Sequence, residues 1–423
     1  MKEPPEIFIW TNREYSIFKQ VGKLLYNIGI RSYYLAIILV SPFNQKAKSW
    51  LKGRSLQRIE IHEGSIWFHC ASLGEFEQAK PVIETIKQLN RDQKIVLTFF
   101  SPSGYTQRKS YELAEAVYYL PLDTRTNATK FVRTVQPKAA IFVKYEVWHH
   151  YFSTLKTREI PLFLISATFR KDQVYFRQSG NFLRNTLKLC TLICVQDQTS
   201  LELLQSYGFD NAIFSGDTRY DRVLNQREEN NQNTRIEQFK GDALMVLIGS
   251  SWPEEEALIA EFIENQNKAN VKYLIAPHQV QEQNINRITK ELSQESIRYT
   301  KPSEKEAQIM ILDTIGHLSS AYQYADIALV GGGFSNALHN ILEPATFGIP
   351  VLYGNNHPKF PEGAKLKTAG GGFPVSRAEF AEVLNELIEN EAKRVESGEN
   401  AKRFIEKNAG ATPLIISKIS DHL

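Results

Sequence analysis

Short apolar runs alternate with longer amphipathic stretches along most of the chain. In the first half the apolar runs cover residues 66–70, 94–100, 139–143, 161–165 and 192–195. The pattern restarts in the second half at residues 243–248, 271–275, 307–311, 327–330 and 351–353. Apolar runs of this length are typical of strands buried on both faces of a parallel sheet, and the stretches between them have helical length. We therefore predict an α/β protein with two doubly wound, Rossmann-like domains that face each other across a cleft.

A polar segment between the two halves sets the predicted domain boundaries. Residues 225–238 are rich in asparagine, glutamine and charged side chains, a composition typical of a linker. Ligands are expected outside the carboxyl ends of the strands. We predict an N-terminal segment, an N-terminal domain, a linker and a C-terminal domain at residues 1–60, 61–225, 226–240 and 241–423.

Three consecutive glycines, residues 331–333, follow the apolar run that ends at residue 330. A strand that runs through glycines into a helix exposes backbone N–H groups, which together with the helix dipole favour an anion. His339, Asn340 and Glu343 are expected along the first turns of that helix, where they can contact phosphate oxygens and ribose hydroxyls. The alternative is a glycine turn that only lets the helix pack close to the strand.

The first strand of the N-terminal domain is followed by a loop with a carboxylate. Gly74 permits a tight turn, Ser72 is a candidate helix cap, and Glu75 lies in the first turn of the next helix. We expect Glu75 to face the cleft as a catalytic group, although acids are also common in first helical turns for capping alone. Similar loops after other strands contain Lys144 and Glu146 in this domain, and Ser250, Ser251 and His278 in the next.

Composition places few limits on function. The chain has 423 residues, of which 42% are hydrophobic and 23% charged, with a formal net charge of +3. This is the mixture of a soluble enzyme of two domains, and no overall charge indicates a nucleic-acid partner. The cysteines lack zinc-type spacing and are expected to be reduced thiols in a cytosolic compartment; they are Cys70, Cys190 and Cys194.

The N-terminal segment departs from this even charge balance. No acid lies between Tyr15 and Glu60, whereas eight basic residues do: Lys19, Lys23, Arg31, Lys46, Lys48, Lys52, Arg54 and Arg58. Apolar residues recur there at helical spacing, and residues 33–40 are an apolar run too short to span a bilayer. We expect a basic amphipathic segment on an anionic inner-membrane surface, at its cytoplasmic face. The alternative is a helical hairpin that packs on the rest of the protein.

Several short motifs occur in a particular order along the chain: Ser72-Leu-Gly-Glu75, Tyr119-Leu-Pro-Leu-Asp123, Glu146-Val-Trp148, Ser215-Gly-Asp-Thr-Arg-Tyr-Asp221, Gly249-Ser-Ser251 and residues 331–354. Together they resemble the 3-deoxy-D-manno-octulosonic acid (Kdo) transferases, over roughly residues 60–400. The resemblance implies the GT-B architecture and an inverting transfer of Kdo from CMP-Kdo to a hydroxyl of a lipid A precursor. It also implies that no metal ion holds the nucleotide sugar, that no cofactor is needed and that Glu75 is the base.

The resemblance also implies two sets of binding residues. The acceptor-binding set is Ser72, Gly74, Lys144, Glu146 and Arg170. The donor-binding set is Ser250, Ser251, His278, Gly332, Gly333, Phe334, His339, Asn340 and Glu343.

Some family motifs differ in this chain. The family's proline-arginine-histidine reads Pro277-His278-Gln279, its acid-x-acid pair reads Lys144-Tyr145-Glu146, and its asparagine-alanine-arginine turn reads Ser166-Ala167-Thr168. We expect Lys144 and Arg170 to supply the missing positive charge. A GT-B sugar-nucleotide epimerase, another membrane-associated glycosyltransferase and a non-catalytic membrane adaptor remain alternatives at this point.

Overall fold

A computed structural model describes residues 12–229, 232–266, 268, 270–301 and 306–423, with side chains from residue 20 onwards. The first 11 residues of the predicted N-terminal segment and residues 230–231 of the predicted linker lie outside this range. The chain divides into two compact units. The N-terminal unit contains the described residues up to Arg219 together with Gly410–Leu423, and the C-terminal unit contains those of Tyr220–Ala409.

The N-terminal unit is built on a parallel sheet of seven strands in the order β3-β2-β1-β4-β5-β6-β7. The interior strand β1 pairs with β2 through Ile66 and Ile95, and with β4 through Ile66 and Ala139. All residues of β1, β2, β4 and β5 are buried, as the apolar runs predicted. The strands are β1 Ile66–Cys70, β2 Ile95–Phe99, β3 Ala116–Tyr119, β4 Ala139–Val143, β5 Leu162–Ala167, β6 Leu192–Val195 and β7 Ala212–Phe214.

Helices cover this sheet and precede it in the chain. The last helix, α18, returns to the N-terminal unit, where Ile415 and Ile419 join the core around β1 and α3. The helices are α1 Asn12–Val40, α2 Gln45–Leu56, α3 Leu73–Leu89, α4 Pro102–Arg108, α5 Arg125–Val135, α6 His149–Thr157, α7 Asn181–Leu187, α8 Gln198–Ser206 and α18 Ala411–Ile419. The three cysteines are free thiols in the interior.

The C-terminal unit has a second parallel sheet of seven strands, in the order β10-β11-β9-β8-β12-β13-β14. Its strands are β8 Leu244–Ser251, β9 Val271–Pro277, β10 Ser296–Arg298, β11 Ile309–Ile311, β12 Ile327–Val330, β13 Val351–Gly354 and β14 Gly372–Val375. Its helices are α10 Thr234–Lys240, α11 Pro253–Gln266, α12 Glu282–Glu291, α13 Leu318–Ala321, α14 Leu342–Thr346, α15 Pro361–Thr368, α16 Arg377–Glu389 and α17 Glu391–Asn408. Helix α9, Thr218–Glu228, crosses the boundary between the units.

Four strands absent from the sequence prediction are the four sheet edges: β3, β7, β10 and β14. Each has only three or four residues. An edge strand has one neighbour and is not enclosed on both sides, so it needs no continuous apolar run. The arginine at the end of β10 and the proline within β14 are examples. The α/β class and the ten predicted strands are confirmed, with bounds that shift by a few residues.

The division into units differs from the predicted domain boundaries at two places. Much of the predicted linker, 226–240, belongs to helices α9 and α10, and Ile236 is fully buried. The C-terminal residues beyond Ala409 belong to the N-terminal unit. The polar segment that was predicted to be a linker is therefore largely helical. A helix needs only one apolar face, so a mostly polar sequence can still form one.

Helix α1 presents its apolar side chains away from the protein. The large exposed hydrophobic residues include Leu24, Leu25, Leu35 and Leu39. The side turned to the protein is more polar. Its Tyr26 Oη donates to Asp123 over 2.5 Å, its Asn27 Oδ1 lies 2.7 Å from His150 Nε2, and its Gly22 lies against Phe182.

The apolar stretch in α1 is also longer than the sequence analysis predicted. The helix continues through Arg31 without a break, so that Gln20–Val40 is long and apolar enough, by length and composition, to cross a membrane. The predicted run of eight residues was too short because it ended at the first charged side chain.

Candidate active and nucleotide-binding sites

Both units place the predicted site residues at the point where the strand order reverses. In the N-terminal sheet this point lies between β1 and β4, and in the C-terminal sheet between β8 and β12. Ligands of doubly wound sheets bind beyond the carboxyl ends of the strands at such a point. Glu75 and Glu146 follow β1 and β4, whereas Ser251 and Gly332 end or follow β8 and β12.

Glu75 is a buried carboxylate at the start of α3. Its side chain is only 7% exposed, and Oε2 accepts a short hydrogen bond from the backbone N–H of Ala71. Burial, and next the negative charge of Glu146, raise the pKa of Glu75 to about 7. The Ala71 N–H and the charge of Lys144 act in the opposite direction. A carboxylate with a pKa near neutrality is suited to accept a proton at physiological pH.

His69 and Glu146 form a second buried pair beside Glu75. The Thr98 hydroxyl donates to the Phe68 carbonyl and accepts from Trp67, so its contact of 2.9 Å with His69 Nδ1 requires Nδ1 to be the donor. His69 Nε2 then faces Glu146 Oε2 at 3.6 Å and has no hydrogen-bond partner among the described residues. Glu146 Oε2 itself accepts a hydrogen bond from Trp148 Nε1 over 3.0 Å.

Other predicted acceptor-site residues vary in how close they lie to Glu75. The charge of Lys144 acts on Glu75 directly, and its backbone is left-handed, with φ of 61°. Ser72 occupies the N-cap position of α3 but forms no capping hydrogen bond with its side chain. Arg170 follows β5, is exposed, and contacts Asp172 and Gln173 rather than the cluster around Glu75.

Gly74 has a role different from the one its sequence suggested. Its φ is not left-handed, and a Cβ at this position would have only the Ser72 hydroxyl nearby, at 3.9 Å. The turn into α3 therefore does not require glycine. What glycine provides is open space next to Glu75.

The glycine loop of the C-terminal unit differs from the predicted strand-to-helix turn. Helix α14 begins only at Leu342 and has five residues, so His339 and Asn340 precede it in an irregular loop. The predicted turn from strand directly into helix is therefore wrong, because so short a helix begins nine positions after the last of the three glycines. The anion site itself stays a prediction. The loop folds on itself through bonds from the Ala337 and His339 N–H groups to the glycine carbonyls.

The three glycines differ in what their N–H groups contact. Gly331 N–H donates to the Gly249 carbonyl, and Gly332 N–H donates to Glu255 Oε1 over 2.9 Å. The N–H groups of Gly333 and Phe334 have no acceptor among the described residues. Gly332 has φ of 82°, a conformation that favours glycine. Two of these glycine N–H groups are therefore used for packing within the unit, as in a purely structural glycine turn. Two further N–H groups, those of Gly333 and Phe334, are available to a ligand.

Three aromatic rings meet beyond β8, β9 and β12. Trp252 stacks on His278 with ring centres 4.9 Å apart, and His278 lies 4.7 Å from His339. Trp252 Nε1 donates to His339 Nε2 over 3.0 Å, so His339 carries its hydrogen on Nδ1. Burial, and next the charge of His278, lower the pKa of His339 to about 4. His339 is therefore a neutral donor at physiological pH rather than a cation.

The remaining predicted donor-site side chains already have protein partners. Ser251 Oγ donates to Glu256 Oε1 over 2.8 Å in the interior. The Glu343 carboxylate accepts from Asn340 over 3.0 Å and from Ser319 over 3.4 Å. Ser250 has a left-handed backbone, with φ of 52°, and Phe334 packs against the core of the unit. The ribose contact of Glu343 stays a prediction.

Sequence reasoning did not single out His69, Trp252 or Glu255. A signal for His69 was present, since a histidine inside the apolar run 66–70 is buried if that run is a strand. Glu255 had no such signal, because it looks like one of three ordinary acids in a first helical turn. Its bonds to the Trp252 and Gly332 N–H groups appear only in three dimensions.

Solved structures share this fold. UDP-GlcNAc 2-epimerase from Neisseria meningitidis, bound to UDP-GlcNAc, aligns with a TM-score of 0.60 at 17% identity, covering 86% of this chain and all of that one. MurG from Acinetobacter baumannii aligns with a TM-score of 0.52 at 14% identity, covering 85% and 99%. At such identities these likenesses establish the fold alone, which is of the GT-B class.

Sequence relatives narrow the class. The family model for 3-deoxy-D-manno-octulosonic-acid transferase (kdotransferase) matches residues 44–222. The 3-deoxy-D-manno-octulosonic acid transferase of Chlamydia muridarum is 27% identical over 365 residues, covering 82% of this chain and 83% of the relative. The transferase of the same name from Haemophilus influenzae is 26% identical over 377 residues, covering 85% and 87%. The chain is thus similar to Kdo transferases over most of its length, and the resemblance that its motifs predicted is confirmed.

Proposed function

We propose that this protein is an inverting glycosyltransferase that moves Kdo from CMP-Kdo to a hydroxyl group of a lipid A precursor. Similarity to the Kdo transferases supports the proposed transferred sugar. The observation that carries the proposed chemistry is Glu75, a buried carboxylate with a pKa of about 7 beyond the first strand of the sheet. No metal ion has a part in the proposed mechanism.

Glu75 is proposed as the general base. The acceptor hydroxyl attacks the anomeric carbon of Kdo from one side while Glu75 takes its proton, and the bond from that carbon to the CMP oxygen breaks on the other side. The CMP oxygen leaves with the bonding electrons, which inverts the anomeric configuration. Lys144 would stabilise the ionised form of Glu75 before the attack, and Glu146 makes it more basic.

The donor is proposed to bind the C-terminal unit. The N–H groups of Gly333 and Phe334 and the Nδ1–H of His339 are hydrogen-bond donors of the kind that can stabilise the phosphate of departing CMP. The exposed ring of His278, stacked on Trp252, adds a further hydrogen-bond donor. Glu343 is proposed to accept hydrogen bonds from the ribose hydroxyls.

We also propose that α1 holds the enzyme at the cytoplasmic face of the inner membrane. Helix α1 contacts the protein through polar groups and directs leucines outward, the reverse of a helix that packs on a soluble core. Such an outward apolar face on a basic segment favours an anionic bilayer. A lipid acceptor would be reached from the same surface.

One incubation tests the reaction class. The purified protein is mixed with CMP-Kdo labelled in the sugar and with a lipid A precursor in detergent, and products are separated by mass. Label in the lipid, with release of CMP, supports the proposal. Isomerised or hydrolysed sugar nucleotide without transfer would instead support an epimerase-like activity, the alternative that the shared fold suggests. Inertness with intact CMP-Kdo would contradict both.

A further inference from the structure

A cavity of about 720 Å³ lies in the N-terminal unit where α1 and α2 meet the start of α5. Its lining includes the four basic residues Arg31, Arg54, Arg58 and Lys130 and no acidic residue. None of these four side chains forms an ion pair with a described residue. The volume is within the range of small-molecule sites in proteins.

Arg54 is the fixed cation of this cavity. Its guanidinium donates to the backbone carbonyls of Phe100 over 2.7 Å, Leu120 over 3.0 Å and Trp50 over 3.4 Å, and lies 3.6 Å above the Trp50 ring. Three of its five N–H groups are used in this way. Burial lowers the pKa of Arg54 to about 9, which reflects a cation held without a negative partner.

Several other arginines of the described structure are paired with carboxylates. Arg108 contacts Glu77 at 3.1 Å, Arg219 contacts Asp217 at 2.8 Å and Arg298 contacts Glu282 at 2.8 Å. Asp123, which lies between two lining residues in the sequence, is bound instead by Tyr26 and by the His150 and Tyr151 N–H groups. The cavity therefore concentrates positive charge that the protein does not neutralise itself, and a bound anion would do so.

The rest of the lining indicates which anion. Tyr34 and Trp50 line the same cavity, and the centres of their rings lie 6.3 Å apart. Tyrosine and tryptophan side chains are enriched at the level of lipid headgroups. Arg31 and Tyr34 belong to the apolar stretch Gln20–Val40 of α1, whose Leu35 and Leu39 are exposed. A molecule with a phosphate in the cavity and acyl chains along α1 would match both surfaces.

We propose that this cavity binds the phosphate group of an anionic lipid whose acyl chains lie against α1. The phosphate accepts hydrogen bonds from the arginines and lysine, and the lipid thereby fixes α1 and α2 at a defined depth in the membrane. A membrane phospholipid and a phosphorylated glycolipid share this chemistry, and the experiment below separates them. The proposal does not depend on the proposed function, because lipid binding is measured without sugar transfer.

The first arm measures binding of dihexanoyl phosphatidylglycerol to the full chain in neutral detergent by calorimetry. Arg58→Gln with Lys130→Gln removes two exposed cations of the cavity, and Lys48→Gln with Lys52→Gln removes two exposed cations of α2 outside it. We expect one saturable site that weakens by about tenfold or more in the cavity pair, because hydrogen bonds to charged groups are lost. The control pair should bind like the wild type.

Equal weakening in both pairs would overturn the proposal, since the effect would then be general surface charge. Equal binding of dihexanoyl phosphatidylcholine would also overturn it, because a net anion would not be needed. Inorganic phosphate that binds as tightly as the lipid would overturn the role of the acyl chains.

A second arm identifies the source of the phosphate. The labelled lipid A precursor is titrated into protein loaded with dihexanoyl phosphatidylglycerol, and displacement is measured for the wild type and both variant pairs. Displacement that the cavity pair abolishes assigns the site to a phosphorylated glycolipid. Retention of the phospholipid in the presence of the precursor assigns it to a membrane phospholipid. Both results support a lipid phosphate site, whereas absence of any saturable lipid binding contradicts it.

Discussion

The two units use the same position in the same kind of sheet in different ways. At the reversal point of the N-terminal sheet, Glu75 has a like charge nearby, and His69 Nε2 faces Glu146 without a hydrogen bond. At the reversal point of the C-terminal sheet, the buried acids are matched by donors. Glu255 accepts from two backbone N–H groups, and Glu256 accepts from Ser251 and Arg287.

This difference suits the N-terminal site to proton transfer and the C-terminal site to ligand binding. Burial raises the pKa of both Glu75 and Glu255, but more backbone N–H groups oppose the shift at Glu255. Glu255 is thus a fixed support for the glycine loop, whereas Glu75 can change its protonation state near neutral pH. A buried carboxylate whose pKa is raised by a neighbouring like charge, as at Glu75, is typical of catalytic groups.

The largest effect is expected for Glu75→Gln. The amide has nearly the same shape but cannot accept a proton, so transfer should fall by about 10²–10⁴-fold while CMP affinity is kept. Transfer is measured with labelled CMP-Kdo, and CMP binding by calorimetry. Glu77→Gln, two residues further along α3, is the matched control because its carboxylate pairs with Arg108. Near-normal transfer by Glu75→Gln would reduce Glu75 to a helix-capping residue.

The same variant should be more stable than the wild type at high pH. The folded-state pKa of Glu75 is raised from 4.5 to about 7, so the folded protein holds a proton that the unfolded chain releases, and stability falls as pH rises from 4.5 to 7. Glutamine removes this loss, which amounts to at most about 3 kcal/mol. Thermal unfolding at pH 4 and pH 8 should show a gain for the variant only at pH 8. A gain of equal size at both values would contradict the raised pKa.

The next largest effect concerns the proposed ribose contact. Glu343→Ala removes a charged acceptor and should weaken CMP binding by roughly 10-fold or more. Ser319→Ala is the control, because it removes one of the protein donors to Glu343 but leaves the carboxylate in place. Calorimetric titration with CMP compares the two. If both variants bind CMP like the wild type, the ribose is held by other residues and the carboxylate has a structural role.

The sequence was sufficient for the strands that carry the sites. Strands β1, β4, β8 and β12 lie inside their sheets and need uninterrupted apolar residues, which makes them visible in the pattern. Glu75 and Glu146 could be found because they follow such strands directly. The edge strands and the C-terminal helix α18 gave weaker signals, since their positions depend on neighbours far away in the sequence.

The details of the sites were less predictable for a physical reason. Gly332 was expected to offer its N–H to a ligand, but Glu255, 77 positions earlier in the chain, accepts that hydrogen bond. His339 was expected to contact phosphate, and its neutral state follows from a bond to Trp252 and from burial. Both results depend on pairing between distant loops, which spacing within one motif does not encode.

A smaller effect is expected on the pH dependence of transfer. Because the base must be ionised, kcat/KM for the lipid acceptor should rise with pH. Its midpoint should lie near 7, the pKa of Glu75. Glu146→Gln removes a negative charge that raises this pKa, so its midpoint should lie lower than in the wild type. Rates of both proteins are measured over a pH series at saturating CMP-Kdo. An unchanged midpoint would mean that Glu146 does not set the basicity of Glu75.

The smallest effect is expected at Gly74, where two readouts should move in opposite directions. Alanine fits the backbone and meets only the Ser72 hydroxyl at 3.9 Å, so Gly74→Ala should raise stability by up to about 1 kcal/mol through better helix propensity. The added methyl group would fill space beside Glu75 and should raise KM for the lipid acceptor several-fold. Gly29→Ala in α1, which also has room for a Cβ, is the control and should leave KM unchanged. If Gly74→Ala leaves KM for the acceptor unchanged, the open space beside Glu75 is not where the acceptor binds.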